Sequence, residues 1–173
     1  YGGVTFAGPV TNNGVISVAQ SSSLLISTTG MFTDATDSSI NTRGNIRNEG
    51  TMTVSGSVYG SFDVEGVTPC VIENIGKLTV NGGTIEHLGG TDMAYGIDNL
   101  TNGKGTYAET VINGGTIKST YRAIRMFLNG VEAQNILTVN GGVIEGANKS
   151  IWVQDPSAKN NTGKITVAAG AVL

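Results

Sequence analysis

Apolar and hydroxyl-bearing residues alternate in short runs along most of the chain, and the runs return at a regular distance. Leu78-Thr-Val-Asn-Gly-Gly-Thr-Ile-Glu86 comes back as Thr110-Val-Ile-Asn-Gly-Gly-Thr-Ile-Lys118 and as Leu137-Thr-Val-Asn-Gly-Gly-Val-Ile-Glu145, with fainter copies at Met52-Thr-Val-Ser-Gly56 and Ile165-Thr-Val-Ala-Ala-Gly-Ala-Val172. Anchored on Asn81, the equivalent positions are Ser55, Asn81, Asn113, Asn140 and Ala168, at intervals of 26, 32, 27 and 28 residues. Alternation of period two describes a half-buried strand, and a repeat of this length describes one supersecondary unit stacked on the next. A second motif, Asn-x-Gly, stands at Asn12, Asn48, Asn74 and Asn161, each time ahead of a run such as Val15-Ile-Ser-Val18 or Lys77-Leu-Thr-Val80. Asn and Gly tolerate turn conformations that other residues avoid, so the motif predicts a turn feeding a strand. At least six rungs follow, beginning near Asn12, Asn48, Asn74, Asn99, Asn129 and Asn161, with room for a seventh around Leu24-Leu-Ile26. No stretch sustains the 3.6-residue period of a helix.

If each repeat is one turn of a coil, equivalent residues form columns. Ile16, Met52, Leu78, Leu137 and Ile165 make one inward column, and Val18, Val54, Val80, Ile112, Val139 and Val167 a second. Ile85, Ile117, Ile144 and Val172 make a third, and Ile46, Ile72, Ile97 and Phe127 a fourth. Ser17, Thr53, Thr79, Thr138 and Thr166 fall outward in one hydroxyl rank, which Val111 interrupts. Outward Glu86, Lys118 and Glu145 read minus, plus, minus from rung to rung, a cross-strand charge ladder in which unlike neighbours stabilise each other. Such columns predict an all-β chain with a narrow core.

Composition agrees: 26 Gly and only 3 Pro stand among abundant Val, Ile and Thr, the mixture of corner and strand residues that a solenoid needs. The 173 residues read as a single β-helix domain over 1–173. Because the chain opens at Tyr1 rather than Met, it reads as a fragment or processed part of a longer chain or assembly. The ten Lys and Arg against thirteen Asp and Glu give a net charge of −3 with no basic stripe, so no nucleic-acid partner is expected. No apolar run reaches the ~20 residues of a membrane span, so no membrane insertion is expected. Cys70 is alone and is expected to be a small buried residue. His87 is the sole histidine and is expected in a solvated loop; no cofactor and no metal site is expected.

The columns, the corner asparagines and the Val-Asn-Gly-Gly-Thr-Ile repeat resemble right-handed parallel β-helices of the pectate-lyase-like superfamily, over roughly Asn12 to Leu173. More narrowly they are similar to repeat regions of bacterial surface adhesins and phage appendage proteins. The resemblance implies a single-stranded right-handed solenoid of about six to seven rungs. It also implies an asparagine ladder at one corner, formed by Asn48, Asn74, Asn99 and Asn129, or alternatively by Asn81, Asn113 and Asn140. It implies several functions at once, because fold alone does not choose among lyases, hydrolases and adhesins.

Lyases of this fold hold calcium with acidic residues and use Arg or Lys as base, while its glycosidases pair carboxylates, which need about 5–9.5 Å of separation. Asp92, Asp98, Arg122 and Arg125 lie in the less regular connections, and Asp98 with Arg122 and Arg125 is the constellation that would carry lyase chemistry. Tyr95, Tyr107, Tyr121, Phe127 and Trp152 cluster in the later rungs, where insertions are tolerated and function gathers. Tyr and Trp faces stack on sugar rings, so Tyr95, Tyr121, Trp152, Arg122 and Arg125 are the candidate ligand-binding residues. The reading that follows is a non-enzymatic extracellular module of a cell-surface fibre or virion appendage that contacts surface glycans. The alternatives are a polysaccharide lyase or glycoside hydrolase on the same fold, and a subunit that polymerises end to end. Exposed rung ends would meet other copies or neighbouring domains, since unpaired strand edges invite pairing.

Overall fold

The structure, a computed structural model, describes residues 2–61, 69–89, 93–156 and 160–173. Among them every regular element is a strand. The strands form three parallel sheets that the chain visits in rotation. The first face comprises Gly3–Phe6, Ser23–Ile26, Asn45–Asn48, Cys70–Asn74, Tyr95–Lys104, Arg122–Val131 and Lys149–Gln154. The second comprises Pro9–Asn12, Met31–Asp34, Thr51–Val54, Lys77–Val80, Tyr107–Ile112, Gln134–Val139 and Thr162–Val167. The third comprises Val15–Val18, Ser39–Thr42, Ser57–Gly60, Thr84–His87, Thr116–Ser119 and Val143–Gly146. An isolated bridge from Val172 to Val143 returns the last rung to the third face. Each strand pairs with its own counterpart one rung away, so the chain is a single-stranded parallel β-helix of seven rungs.

The intervals seen in the sequence are the register offsets of the second face, from Thr51 through Lys77, Glu109 and Ile136 to Lys164. The first rungs are tighter, Pro9 pairing with Met31 and Met31 with Thr51, which is why their copies of the repeat are hard to see. The extra rung expected around Leu24-Leu-Ile26 is present.

Several column assignments change. Asn12 ends a second-face strand and its turn feeds the third face, whereas Asn48 and Asn74 end first-face strands and feed the second. Ile16 therefore stacks on Ile40 rather than Met52, Val18 on Thr42 rather than Val54, and Ser17 on Asn41. All three corners are short turns followed by short strands, so the turn motif does not record which face it serves. The threonine rank gains Thr11 and Thr33 ahead of Thr53. The first-face column runs from Ile97 to Ile124 and Ile151, while Phe127 pairs with Leu100 and Gln154. Val172 aligns with Val143, not Ile144.

The core is the sum of these layers. Ile40, Ile46, Ile72, Ile85, Ile97, Ile112, Ile117 and Ile124 have no solvent exposure, each stabilising the fold by about 1.5–3 kcal/mol. At the corner between the second and third faces the Asn-Gly-Gly sequence has a steric cause. Gly83, Gly115 and Gly142 adopt φ of 68°, 85° and 89°, and a Cβ on Gly83 would lie 1.6 Å from the Gly56 carbonyl oxygen one rung below. Only glycine satisfies both the left-handed backbone and the close approach.

Both asparagine ladders exist. Inside, Asn48 Nδ2 donates to Asn74 Oδ1 at 2.7 Å and Asn74 Nδ2 to Asn99 Oδ1 at 2.7 Å, while the same amides bond the Lys77 and Glu109 carbonyls of second-face strands one rung on at 2.9 Å. Outside, Asn113 Nδ2 donates to Asn81 Oδ1 at 2.9 Å and Asn140 Nδ2 to Asn113 Oδ1 at 2.8 Å. Asn129 is not part of the inner ladder, for it is exposed. In the fifth and sixth rungs the tight Asn-x-Gly turn is replaced by a protruding loop, a fin in which the first-face strand runs on to Lys104 or Val131 before turning back. Thr101, Ala108, Leu128 and Ala133 fill its interior. Met126 takes the ladder position, in register with Asn99, and Asn135 reaches in from the returning strand, accepting from Asn99 Nδ2 and donating to the Asn99 carbonyl.

Val80 packs between Val54 and Ile112 with no solvent contact. Val80→Asp should therefore destabilise the chain by several kcal/mol, on the order of 4 or more, or prevent folding. Thermal or urea unfolding followed by circular dichroism checks this; parent-like melting would contradict the register.

Candidate functional site

The five candidate residues come together on the outer side of the first face. Pairing puts Cys70, Tyr95, Arg122 and Lys149 in one file, and Glu73, Asp98, Arg125 and Trp152 in the next. Strict alternation would turn the first of these files inward, because it lies two residues before the core file of Ile72, Ile97 and Ile124. Instead Val71 and Ile72, and likewise Ala123 and Ile124, are consecutive residues that both enter the core. The strand slips by one at this point, and Tyr95 and Arg122 emerge on the side of Asp98, Arg125 and Trp152.

What results is a stack of rings and guanidiniums. The Arg122 guanidinium carbon lies 3.6 Å from the Trp152 ring centroid and 4.3 Å from that of Tyr121. Its Nη2 donates to the Tyr121 hydroxyl at 2.8 Å and its Nη1 to the Tyr95 hydroxyl at 3.3 Å. Tyr95 is fully buried and stacks on Trp152 with centroids 6.3 Å apart. Arg125 lies over Tyr95 and Phe127 at 4.7 and 4.5 Å. Cation–π contacts of this kind contribute about 0.5–2 kcal/mol each, the larger values when water is excluded.

Beneath the rings Arg125 closes a two-point bond on Asp98. Nε donates to Oδ1 at 2.8 Å and Nη2 to Oδ2, with side chains only 9% and 3% exposed. Burial pushes the Asp98 carboxyl above its usual value, and the bonds and charge of Arg125 pull it back only in part. Burial acts to lower Arg125, yet its hydrogen bonds and attraction to Asp98 prevail and raise it. Cys70 adjoins the pair and is buried as expected; burial pushes its thiol well up, reinforced by the Asp98 and Glu73 charges against that of Arg125. The carboxylate and the Nε–Nη2 edge of the guanidinium are thus turned toward each other, and little of either side chain reaches solvent.

The remaining candidates lie apart. Tyr107 is exposed on the second face, in register with Gln134. His87 is buried rather than solvated, in register with Gly60 and Ser119, its Nδ1 accepting from the Gly89 amide at 3.1 Å. It lies on the inward side, two residues after Ile85, a position the sequence alternation could have shown. Glu86, Lys118 and Glu145 are register neighbours as expected, but no ion pair within 4 Å joins them. The described ion pairs include Arg47 with Glu49 and Glu73, on the same outer side of the first face as Asp98 and Arg125. Asp92 lies outside the described residues. Among the described residues no group of three His, Cys, Asp or Glu side chains is placed to hold a metal ion. Protein-family models, curated proteins and solved structures contain no match to this chain.

Removing one partner of the buried pair leaves the other uncompensated. Arg125→Met should cost about 3–5 kcal/mol, and much of that loss should return in the double variant Asp98→Leu/Arg125→Met. A double-mutant cycle from urea unfolding measures the coupling. Because Cys70 is buried and held protonated, an aromatic disulfide reagent at neutral pH should label it in urea at least about a hundredfold faster than in the native state; comparable rates would place the thiol at the surface.

Proposed function

We propose that this chain is a non-enzymatic extracellular structural and adhesion module, a rod of the pectate-lyase-like β-helix type within a cell-surface fibre or phage appendage. The observation that carries the reading is the closure of the Asp98–Arg125 pair. Among the described residues, the constellation that the sequence offers for acid–base chemistry is an internal ion pair lying against aromatic rings. Glu86 and Glu145, outward carboxylates two rungs apart, have Lys118 between them, and Glu73, the register neighbour of Asp98, is held by Arg47. Tyr121, Arg122 and Trp152 are only half-buried, which leaves ring edges and guanidinium surface for a glycan to meet.

The isolated chain should cleave no polysaccharide in a panel of uronate-containing and neutral glycans, with and without calcium, read by unsaturated-product absorbance and reducing-end release. It should bind at least one of them. Turnover abolished by Asp98→Asn or Arg125→Lys would establish the polysaccharide lyase alternative instead.

A further inference from the structure

The outer side of the third face carries an aromatic ring that no neighbour uses. Register places Tyr59 between Asn41 and Glu86, in an outward file that begins at Ser17. The two preceding rungs carry small polar side chains there, and the space they leave is a groove of about 380 Å³ lined by Ser17, Asn41, Arg43, Tyr59, Ser61 and Leu88 among others. The rings of Tyr95, Tyr121, Phe127 and Trp152 are each engaged by an arginine. That of Tyr59 has no ring or cation partner, and the polar side-chain groups of Ser17, Asn41 and Tyr59 make no hydrogen bond among the described residues. Arg43 on the rim is exposed and gives Nη2 to Gln20 at 3.3 Å.

We propose that this groove binds one hexopyranose unit of a neutral oligosaccharide. A pyranose has an apolar C–H face edged with hydroxyls. It is matched by an open phenol ring flanked by a group that both donates and accepts, the Asn41 amide, and by the Ser17 and Tyr59 hydroxyls. The volume falls within the roughly 300–1,000 Å³ of small-ligand sites. A neutral sugar fits, because Arg43 on the rim and Glu86 beside the ring balance each other and leave no net charge for an acidic unit to meet. The inference rests on the adhesion reading and gives it a location two rungs or more from the arginine stack and on another face.

The test uses the whole chain and an immobilised panel of neutral tetrasaccharides, β-1,4-linked glucose, galactose and N-acetylglucosamine, beside their uronate counterparts, followed by titration calorimetry and amide NMR shifts. At least one neutral tetrasaccharide should shift amides at 41–43 and 57–61. Tyr59→Ala should weaken its binding about tenfold or more, and Tyr59→Phe, which keeps the ring, should retain most of it. Melting of both variants should stay near the parent's, because Tyr59 points outward. Binding that ignores Tyr59→Ala, or that falls only with Tyr121→Ala or Trp152→Ala, overturns the groove and leaves the adhesion reading standing. Binding confined to the uronates overturns the neutral assignment. No binding anywhere in the panel overturns the groove and the adhesion reading together.

Discussion

Parallel pairing from rung to rung places each residue directly over its counterpart, roughly 4.7–4.9 Å away, and everything else in this protein answers to that spacing. A residue type is acceptable in a column only if it tolerates its like, or a complement, at that distance. Isoleucine over isoleucine passes, because aliphatic side chains interdigitate and exclude water. Charges are accommodated where the sign alternates or where a partner turns aside to meet them, as Arg47 does for Glu73 and Arg125 for Asp98. The spacing also explains how a narrow chain acquires a dry core, since each layer adds only a few side chains but every layer covers the last.

The same constraint admits polar side chains to the interior when they satisfy themselves along the stack. Asparagine carries both a donor and an acceptor, so each copy can give to one rung and receive from another. Asn74 does so, receiving from Asn48 and giving to Asn99, while Asn48 only gives at the foot of the ladder; the amides of Asn48 and Asn74 also bond carbonyls of second-face strands one rung on. Aspartate ends such a chain, because it only accepts: Asn12 donates to Asp34, which Ser38 also bonds, and the next residue in that file is Val54. An unfinished ladder would bury unsatisfied amide groups, at about 1–3 kcal/mol each. When the fin displaces the tight turn, Asn135 is supplied from the returning strand and the ladder stays intact.

The arginine-rich cluster shows how outward residues can be withdrawn from solvent. A one-residue slip at Val71–Ile72 and Ala123–Ile124 brings two files of large side chains to one side of the first face. Their rings and guanidiniums cover each other, and the Asp98–Arg125 bond closes beneath them. A residue set that in sequence suits a lyase is, in this arrangement, an internal clasp between the fifth and seventh rungs. The third face has no such clasp, and Tyr59 is left with an open side.

The sequence by itself determined the repeat, the strand alternation, the corner glycines and the identity of most core residues from Met52 onward, because a one-dimensional fold writes its period directly into the chain. It also placed Tyr95, Tyr121, Arg122, Arg125 and Trp152 in the later rungs, where the connections vary most in length. The tertiary structure alone decided which face each turn serves, and so moved Ile16, Val18 and Ser17 to the third face; the three corners share one local chemistry and differ only in position around the coil. It alone showed Asn135 in place of Asn129, because an insertion shifts residues off the period without marking where they return. It alone buried Asp98, since burial on the outer side of a strand depends on which neighbours come to cover a polar residue.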